Sequence, residues 1–475
     1  MTIIRSNPKP NIHPHARVPD TLVERLPPLS RRFVIGAGAA GLALPRLARA
    51  QAPAPGANPN DTINVSGAHN APIPIALPQF TGAGGGVSEL GSQITQVITS
   101  DLDHSGLFRA INPASFVPNS VQNNVPVFAN WSILGAQALV TGTAVDQGGG
   151  QIRVEYRLWG IAQQKQLQGT AYTTTQGNWR RIAHIIADDI YQQMIGEKGY
   201  FDTRVAYISV SGPPTSPIRR MALMDYDGAN NRFLTSGRSM ALTPQYNPTR
   251  QQLAFVSFEA NRPRVFLFDL QTGARSLVGS FGEMTIGPRF SPDGSALLLS
   301  VTRGGGAAIM RYDLGSRRMT QLTDASSINV TPCYSPDGSK IVFNSDRDGA
   351  GNQQLFVMNA DGSNVKRISY GNGRYAEPDW SPRGDVIAFT RLGGGGFSIG
   401  VMQPDGSGER ILSQGYLEEG STFCPNGRVI MFYRQTPLRV GDLSHLVTID
   451  TDGFNERITP TPTNATDPSW SPLLG

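Results

Sequence analysis

At 475 residues the chain is long enough for two or three domains with cores of their own. Its formal charge of +5 is concentrated at one end: residues 1–50 hold eight Lys or Arg against two Asp or Glu, which leaves residues 51–475 at −1 and without a basic footprint for nucleic acid. Two cysteines, Cys333 and Cys424, are too few for a disulfide scaffold and read as small buried core residues, and the scattered histidines after residue 50 (His69, His104, His184, His445) have no metal-ligand spacing, so no cofactor or metal is expected.

Near the start, Ser30-Arg31-Arg32 precedes an apolar, Gly/Ala-rich run from Phe33 to Leu44, and Ala48-Arg49-Ala50 offers a small-x-small cleavage site before Gln51. The pattern predicts a twin-arginine-like export signal over residues 1–50, read through Arg31, Arg32, Ala48 and Ala50, and therefore a periplasmic protein. The run is too short to span a bilayer, and no later apolar stretch reaches the ~18 residues a span needs. Gly36-Ala37-Gly38-Ala39-Ala40-Gly41 spells a dinucleotide fingerprint. Pro27-Pro28 and two arginines stand before it instead of a strand, and no βαβ unit follows, so it belongs to the signal. Residues 51–60 read as a Pro/Ala/Gly linker.

Residues 61–200 predict a small α/β domain. Leu90, Ile94, Val97, Ile98 and Leu102 form one face of a helix over Ser88 to His104, with Gly106 just past its end. Ala138–Val145 and Ile152–Ile161 read as strands around the Gly148-Gly149-Gly150 turn, Leu167–Thr174 as a third, and Trp179 to Ile195 as a second helix with Ile182, Ile185, Ile186, Ile190 and Met194 inward. The Gly82–Gly86 run lacks the Lys and Ser/Thr of a phosphate loop and reads as a connection.

Residues 203–475 are repetitive. Pro244-Gln245-Tyr246-Asn247-Pro248, Pro288-Arg289-Phe290-Ser291-Pro292, Pro332-Cys333-Tyr334-Ser335-Pro336, Pro378-Asp379-Trp380-Ser381-Pro382, the degenerate Phe423-Cys424-Pro425 and the closing Pro468-Ser469-Trp470-Ser471-Pro472 place a proline at 248, 292, 336, 382, 425 and 472. A period near 44 residues, with short strands between turns such as Asp337-Gly338 and Asp361-Gly362, is that of a four-stranded propeller blade. The aromatic segment is the innermost strand of each. The fifth copy is worn, with Gly420 read at the place of the leading proline. Val205–Ser209, Arg220–Tyr226 and Phe233–Thr235 supply three strands that lack an aromatic segment, and residues 465–472 supply an aromatic segment that lacks strands. Joined, they make a composite sixth blade that closes the ring and removes an open sheet edge.

Catalytic patterns are weak. Gly396-Phe397-Ser398-Ile399-Gly400 matches G-x-S-x-G, but Ser398 falls on a blade strand aligned with Leu355-Phe356, not on a strand–turn–helix elbow. Asp346 and Asp348 read as a solvated loop. Glu377, Glu418 and Glu419 recur near blade entrances and predict an acidic rim that steers a partner.

The run Ser100 to Phe108 (Ser-Asp-Leu-x-x-Ser-Gly-Leu-Phe), the stretch Pro113-Ala114-Ser115-Phe116 and the closing Trp470-Ser471-Pro472, in a chain with an α/β domain ahead of six blades, resemble the TolB family of periplasmic propeller proteins of the Tol-Pal system over roughly residues 60–475. That resemblance implies a monomeric, non-catalytic scaffold supporting outer-membrane integrity and its invagination during cell division. The alternatives are a propeller-type periplasmic hydrolase and a ligand-binding propeller. It also implies two partner surfaces. One is the segment Asp61, Thr62, Ile63, Asn64, Val65, Ser66 and Gly67, extending through Ile73-Pro74-Ile75, for a TolA-like inner-membrane protein. Its alternating Ile63 and Val65 suit addition to a partner's sheet, or else an edge strand of the α/β domain. The other is the channel mouth, with Met284, Gly287, Val330, Thr331, Glu377, Glu418 and Glu419, for a Pal-like peptidoglycan-associated lipoprotein.

Overall fold

The computed structural model describes residues 71–474, apart from 84–87, 123–124, 214, 260–261, 282–284, 350 and 438–442. The first part is an α/β layer. Strands β1 (Ile73–Ala76), β2 (Phe108–Ala110), β5 (Ala138–Gly148), β6 (Gln151–Gly160) and β7 (Lys165–Thr175) form one sheet in the order β2-β1-β5-β6-β7, while β3 (Val121–Gln122) and β4 (Val125–Pro126) make a separate hairpin. Helices α1 (Glu89–His104) and α3 (Trp179–Ile195) pack on each other and on one face of the sheet, and α2 (Phe128–Ile133) seats Trp131 against Leu139 and Trp159 on the other. The α1 start is set by Ser88, whose hydroxyl accepts from the Gly91 amide. Helix α3 stops at Gly196, at φ +87°, a left-handed cap that glycine takes without a steric penalty. Among the described residues no helix is long and apolar enough to cross a membrane.

The structure corrects one reading here. Ile73-Pro74-Ile75 is neither a free segment nor an edge strand: β1 lies inside the sheet, parallel to both β2 and β5. A proline is tolerated there because Ile73 N–H and Ile75 C=O serve the β2 side, and β5 begins pairing only at Ile75↔Ala138, past the position of the missing Pro74 amide.

The rest is a six-bladed propeller. Five blades run consecutively, each as four antiparallel strands: blade 1 from Ala241 to Gly279, blade 2 from Thr285 to Gln321, blade 3 from Asn329 to Arg367, blade 4 from Arg374 to Gly415 and blade 5 from Leu417 to Thr459. Blade 6 is composite, in the order Arg232–Phe233, Ile218–Asp225, Arg204–Ser211, Asn464–Trp470. The first strands of blades 1 to 5 and Asn464–Trp470 touch in succession, and the last touches the first, so the ring is closed.

Local chemistry accounts for the repeat. Ser335 Oγ accepts from the Lys340 amide at 2.9 Å and donates to Asp337, while Gly338 supplies φ +72°, so Ser-Pro-Asp-Gly is a self-bonded turn. These turn bonds hold the Asp337 and Asp293 carboxyls down to about 2. The residue between the proline and the aromatic stitches blades together. Cys333, Asp379, Thr422 and Ser469 accept, in turn, from the amides of Trp380, Phe423, Trp470 and Tyr246 in the next blade. Both cysteines are buried thiols, and Ser398 lies buried in the strand Gly396–Met402.

One hydrophobic core runs through both parts, joining Ile94, Ile98, Ile186, Ile190 and Tyr191 of α1 and α3 to Val205, Tyr226, Val429 and Trp470 of the propeller. At ~1.5–3 kcal/mol for each large side chain fully buried, this continuity makes α1 and α3 one packing unit with blades 5 and 6.

Candidate functional site

In every blade the innermost strand is broken by a bulge, and the residue at the bulge has positive φ: Thr243 (+46°), Gly287 (+57°), Thr331 (+49°), Glu377 (+50°), Gly420 (+71°) and Asp467 (+50°). Four of the six are not glycine, and a non-glycine residue held there costs on the order of 1–3 kcal/mol. Because the six occupy one position of the repeat, they ring the channel at one level.

The acids gather on one side of that ring. Glu377 of blade 4 accepts from the Gly420 amide of blade 5 at 2.8 Å. Glu419 accepts from the Tyr433 hydroxyl at 2.6 Å, and Asp467 accepts from the Thr466 hydroxyl at 2.8 Å. Desolvation, then the neighbouring Glu419 and Asp467 charges, push the Glu377 carboxyl up to about 8. Burial raises Glu419 and Asp467 as well. None of the three forms an ion pair among the described residues. Burial and mutual repulsion thus favour the protonated forms, and a cation brought among them would favour the charged ones.

Glu418, expected beside Glu419 on the rim, is elsewhere. Adjacent strand residues face opposite ways. The Glu418 side chain is fully buried, accepting from Arg434 Nε at 2.6 Å and Ser413 Oγ at 3.0 Å, with Arg434 also bonded to Glu456. It is a packing group of blades 4 and 5. The register of the fifth repeat also shifts by one: Ser421 takes the place of the leading proline, and Gly420 takes the left-handed position of Glu377. Thr331 bonds Asn344 through its hydroxyl and the Ser300 hydroxyl through its amide, and Val330 pairs with Asn344 one step before the bulge. Gly287 is in the ring, whereas Met284, the segment Asp61–Gly67 and the export residues Arg31, Arg32, Ala48 and Ala50 lie outside the described residues. Thr243 and Asp467 were missed. The signal that finds them is the repeat itself, since each directly precedes the leading proline of its copy.

Of the loop acids, Asp346 accepts from the Ile328 amide and Asp348 pairs with Arg367 at 3.3 Å, so both serve loop structure.

A second cluster lies where α1 and α3 meet blade 6. His184 Nδ1 donates to Asp101 Oδ2 at 2.7 Å, the Tyr226 hydroxyl donates to Asp101 Oδ1 at 2.6 Å, and Arg180 pairs with Asp227. Burial alone would lower the His184 pKa. The Asp101 charge and hydrogen bond, with Asp227 and Asp225 behind it, outweigh that and hold it up at about 9.

Comparison with known proteins identifies the family. Residues 61–167 match the model of the TolB amino-terminal domain and residues 191–474 that of the TolB beta propeller domain. The chain is 53% identical over 464 residues to the Tol-Pal system protein TolB of Gluconobacter oxydans (strain 621H), an alignment covering 96% of this chain and 99% of that protein. It superposes on the crystal structure of TolB from Acinetobacter baumannii with a TM-score of 0.75 and 27% identity, over 85% of this chain and 97% of that one.

Proposed function

We propose, since the chain belongs to the TolB family, that it is a non-catalytic periplasmic scaffold of the Tol-Pal system, joining a TolA-like inner-membrane protein to a Pal-like peptidoglycan-associated lipoprotein and supporting outer-membrane integrity and its invagination during division. The observation that carries the reading is the acidic side of the channel ring. Glu377, Glu419 and Asp467 are held in place by amides and hydroxyls and are left without a cationic partner among the described residues. A basic side chain from the lipoprotein meets a preformed set of acceptors there, with Gly287 and Thr331 in the same ring and Val330 one step before the bulge; Met284 is assigned to this surface from the sequence. The segment Asp61–Gly67 serves the inner-membrane partner by strand addition.

The test is binding of two variants to both partners. Glu377→Gln with Glu419→Gln slows association with the lipoprotein and flattens its salt dependence, and deletion of Asp61–Gly67 abolishes binding to the inner-membrane protein alone. Wild-type lipoprotein binding by the double variant, or loss of both partners on deletion, refutes the assignment of surfaces.

A further inference from the structure

A cleft of about 230 Å³ opens between the start of α3 and blade 6, beside the buried Asp101–His184 pair. Four arginines line it: Arg180 and Arg181 from the first turn of α3, Arg204 and Arg232 from blade strands. Two carboxylates, Asp202 and Asp225, line it as well, so the walls carry an excess of two positive charges before His184 is counted.

The start of α3 is built against the usual rule. Helix N-termini carry the positive end of the dipole and favour acidic residues and a side-chain cap. Here the first turn has no acidic residue and two arginines, and Asn178 gives no capping bond, its amide reaching back to Thr174 Oγ1. Arg181 is held by Asp202 at 3.0 Å, and Arg180 by Asp227 and, at 3.8 Å, by Asp225. Arg232 makes no ion pair among the described residues.

An independent observation points to a ligand. His184 is 2% exposed and its Nδ1 is spent on Asp101, yet Nε2 has no hydrogen-bond partner, nor has the buried Nε of Arg180. Because His184 keeps both ring protons at neutral pH, Nε2–H is a buried donor without an acceptor, at the wall of a basic cleft. A buried donor left without an acceptor is costly, so a site that keeps one is built for a partner. Asp101, His184 and Asp227 also offer ligand atoms within 4.8 Å of one another. Those oxygens are taken by Tyr226, His184 and Arg180, and the arginine opposes a cation, so the missing partner is an acceptor.

We infer that this cleft binds a small phosphate-class dianion, either inorganic phosphate or a phosphate monoester, with Arg232 and Arg180 as guanidinium donors and His184 Nε2–H as the buried donor, at the positive end of the α3 dipole. The ligand touches α3 on one side and blade 6 on the other, so its binding clamps the α/β layer to the propeller. This goes beyond the scaffold reading and stands without it.

The experiment is thermal unfolding and titration calorimetry of the full chain with inorganic phosphate, with glycerol phosphate, and with sodium chloride at matched ionic strength. Saturable stabilisation by phosphate beyond chloride is expected. Arg232→Ala, an exposed edge position expected to melt as the wild type does in chloride, should bind at least ~10-fold more weakly, the loss of one charge-assisted contact. Tighter binding of glycerol phosphate identifies a monoester, and binding of inorganic phosphate alone identifies the free ion. A second variant, Arg232→Glu, should abolish saturation. No stabilisation beyond chloride, or equal phosphate affinity in wild type and Arg232→Ala, overturns the inference.

Discussion

The junction between α3 and blade 6 makes a quantitative demand on pH. His184 titrates at about 9 in the folded protein and near 6.5 when unfolded. A folded pKa raised above the unfolded one gives stability that is fully present below 6.5 and is lost as pH rises through about 9. At ~1.4 kcal/mol per pH unit, that interval corresponds to about 3 kcal/mol. Other groups drift in the same direction, since burial also raises Asp188 and Asp450 to about 7, so the measurement must be a difference. His184→Gln retains a hydrogen-bond donor for Asp101 but no charge. Urea unfolding of wild type and variant from pH 5.5 to 10 should give a gap of about 3 kcal/mol at the acid end, closing between pH 7 and 9.5. The lost stability should appear in the transition that reports on Trp470, because Tyr226, which bonds Asp101, stacks on that ring at 6.3 Å. Parallel stability profiles for the two proteins across the range would refute the charge pairing of His184 with Asp101.

Three further outcomes are expected. Replacing Arg31 and Arg32 by Lys should trap precursor in the cytoplasm, and mature protein should begin at Gln51; unchanged export read by immunoblot of periplasmic fractions rules out the twin-arginine route. A chain ending at Asn464 loses the strand that pairs with Arg204–Ser211 along with Trp470, which is 5% exposed and donates to Thr203 at 2.8 Å. It should be destabilised by more than the ~3–5 kcal/mol typical of deleting one buried Trp, and an unchanged melting temperature contradicts closure of the ring by that strand. Glu377→Gly relieves a left-handed backbone and removes a desolvated carboxyl, so it should raise stability by about 1 kcal/mol while slowing lipoprotein association; a drop in denaturant midpoint would mean the Gly420 contact outweighs the strain.

Much of the architecture was legible because it rests on local patterns. The 44-residue period, the Ser-Pro-Asp-Gly turns and the two helical faces are each properties of a short window, and the composite blade follows from counting strands at both ends. What escaped depends on pairing at a distance. Nothing local marks β1 as an interior strand, because four residues containing Pro74 look like an edge or a loop until β2 and β5 flank them. Glu418 and Glu419 look equivalent in sequence, but the strand sends one between blades and the other toward the channel. The Asp101–His184–Tyr226 cluster joins residues 83 and 125 positions apart, and His184 sat in an apolar helical pattern that gave it no partner.

The ring of left-handed residues connects the fold to the proposed role. Beyond the bulge in the innermost strand, the segment presents its next residue to the neighbouring blade at four of the junctions. Glycine would satisfy that backbone at every position, and blades 2 and 5 use it. Blades 1 and 3 instead hold Thr243 and Thr331, while blades 4 and 6 hold Glu377 and Asp467, each at a cost in strain that a glycine would not incur. The acidic pair flanks Gly420, whose amide donates to Glu377, with Glu419 immediately beside it. The six-fold backbone is thus symmetric and its side chains are not. The asymmetry gives the channel one acidic side, spanning blades 4 to 6, and α1 and α3 pack on blades 5 and 6 through the shared core. A basic group seated in the ring would therefore act on the blades that also carry α1 and α3, through one contiguous set of packed residues.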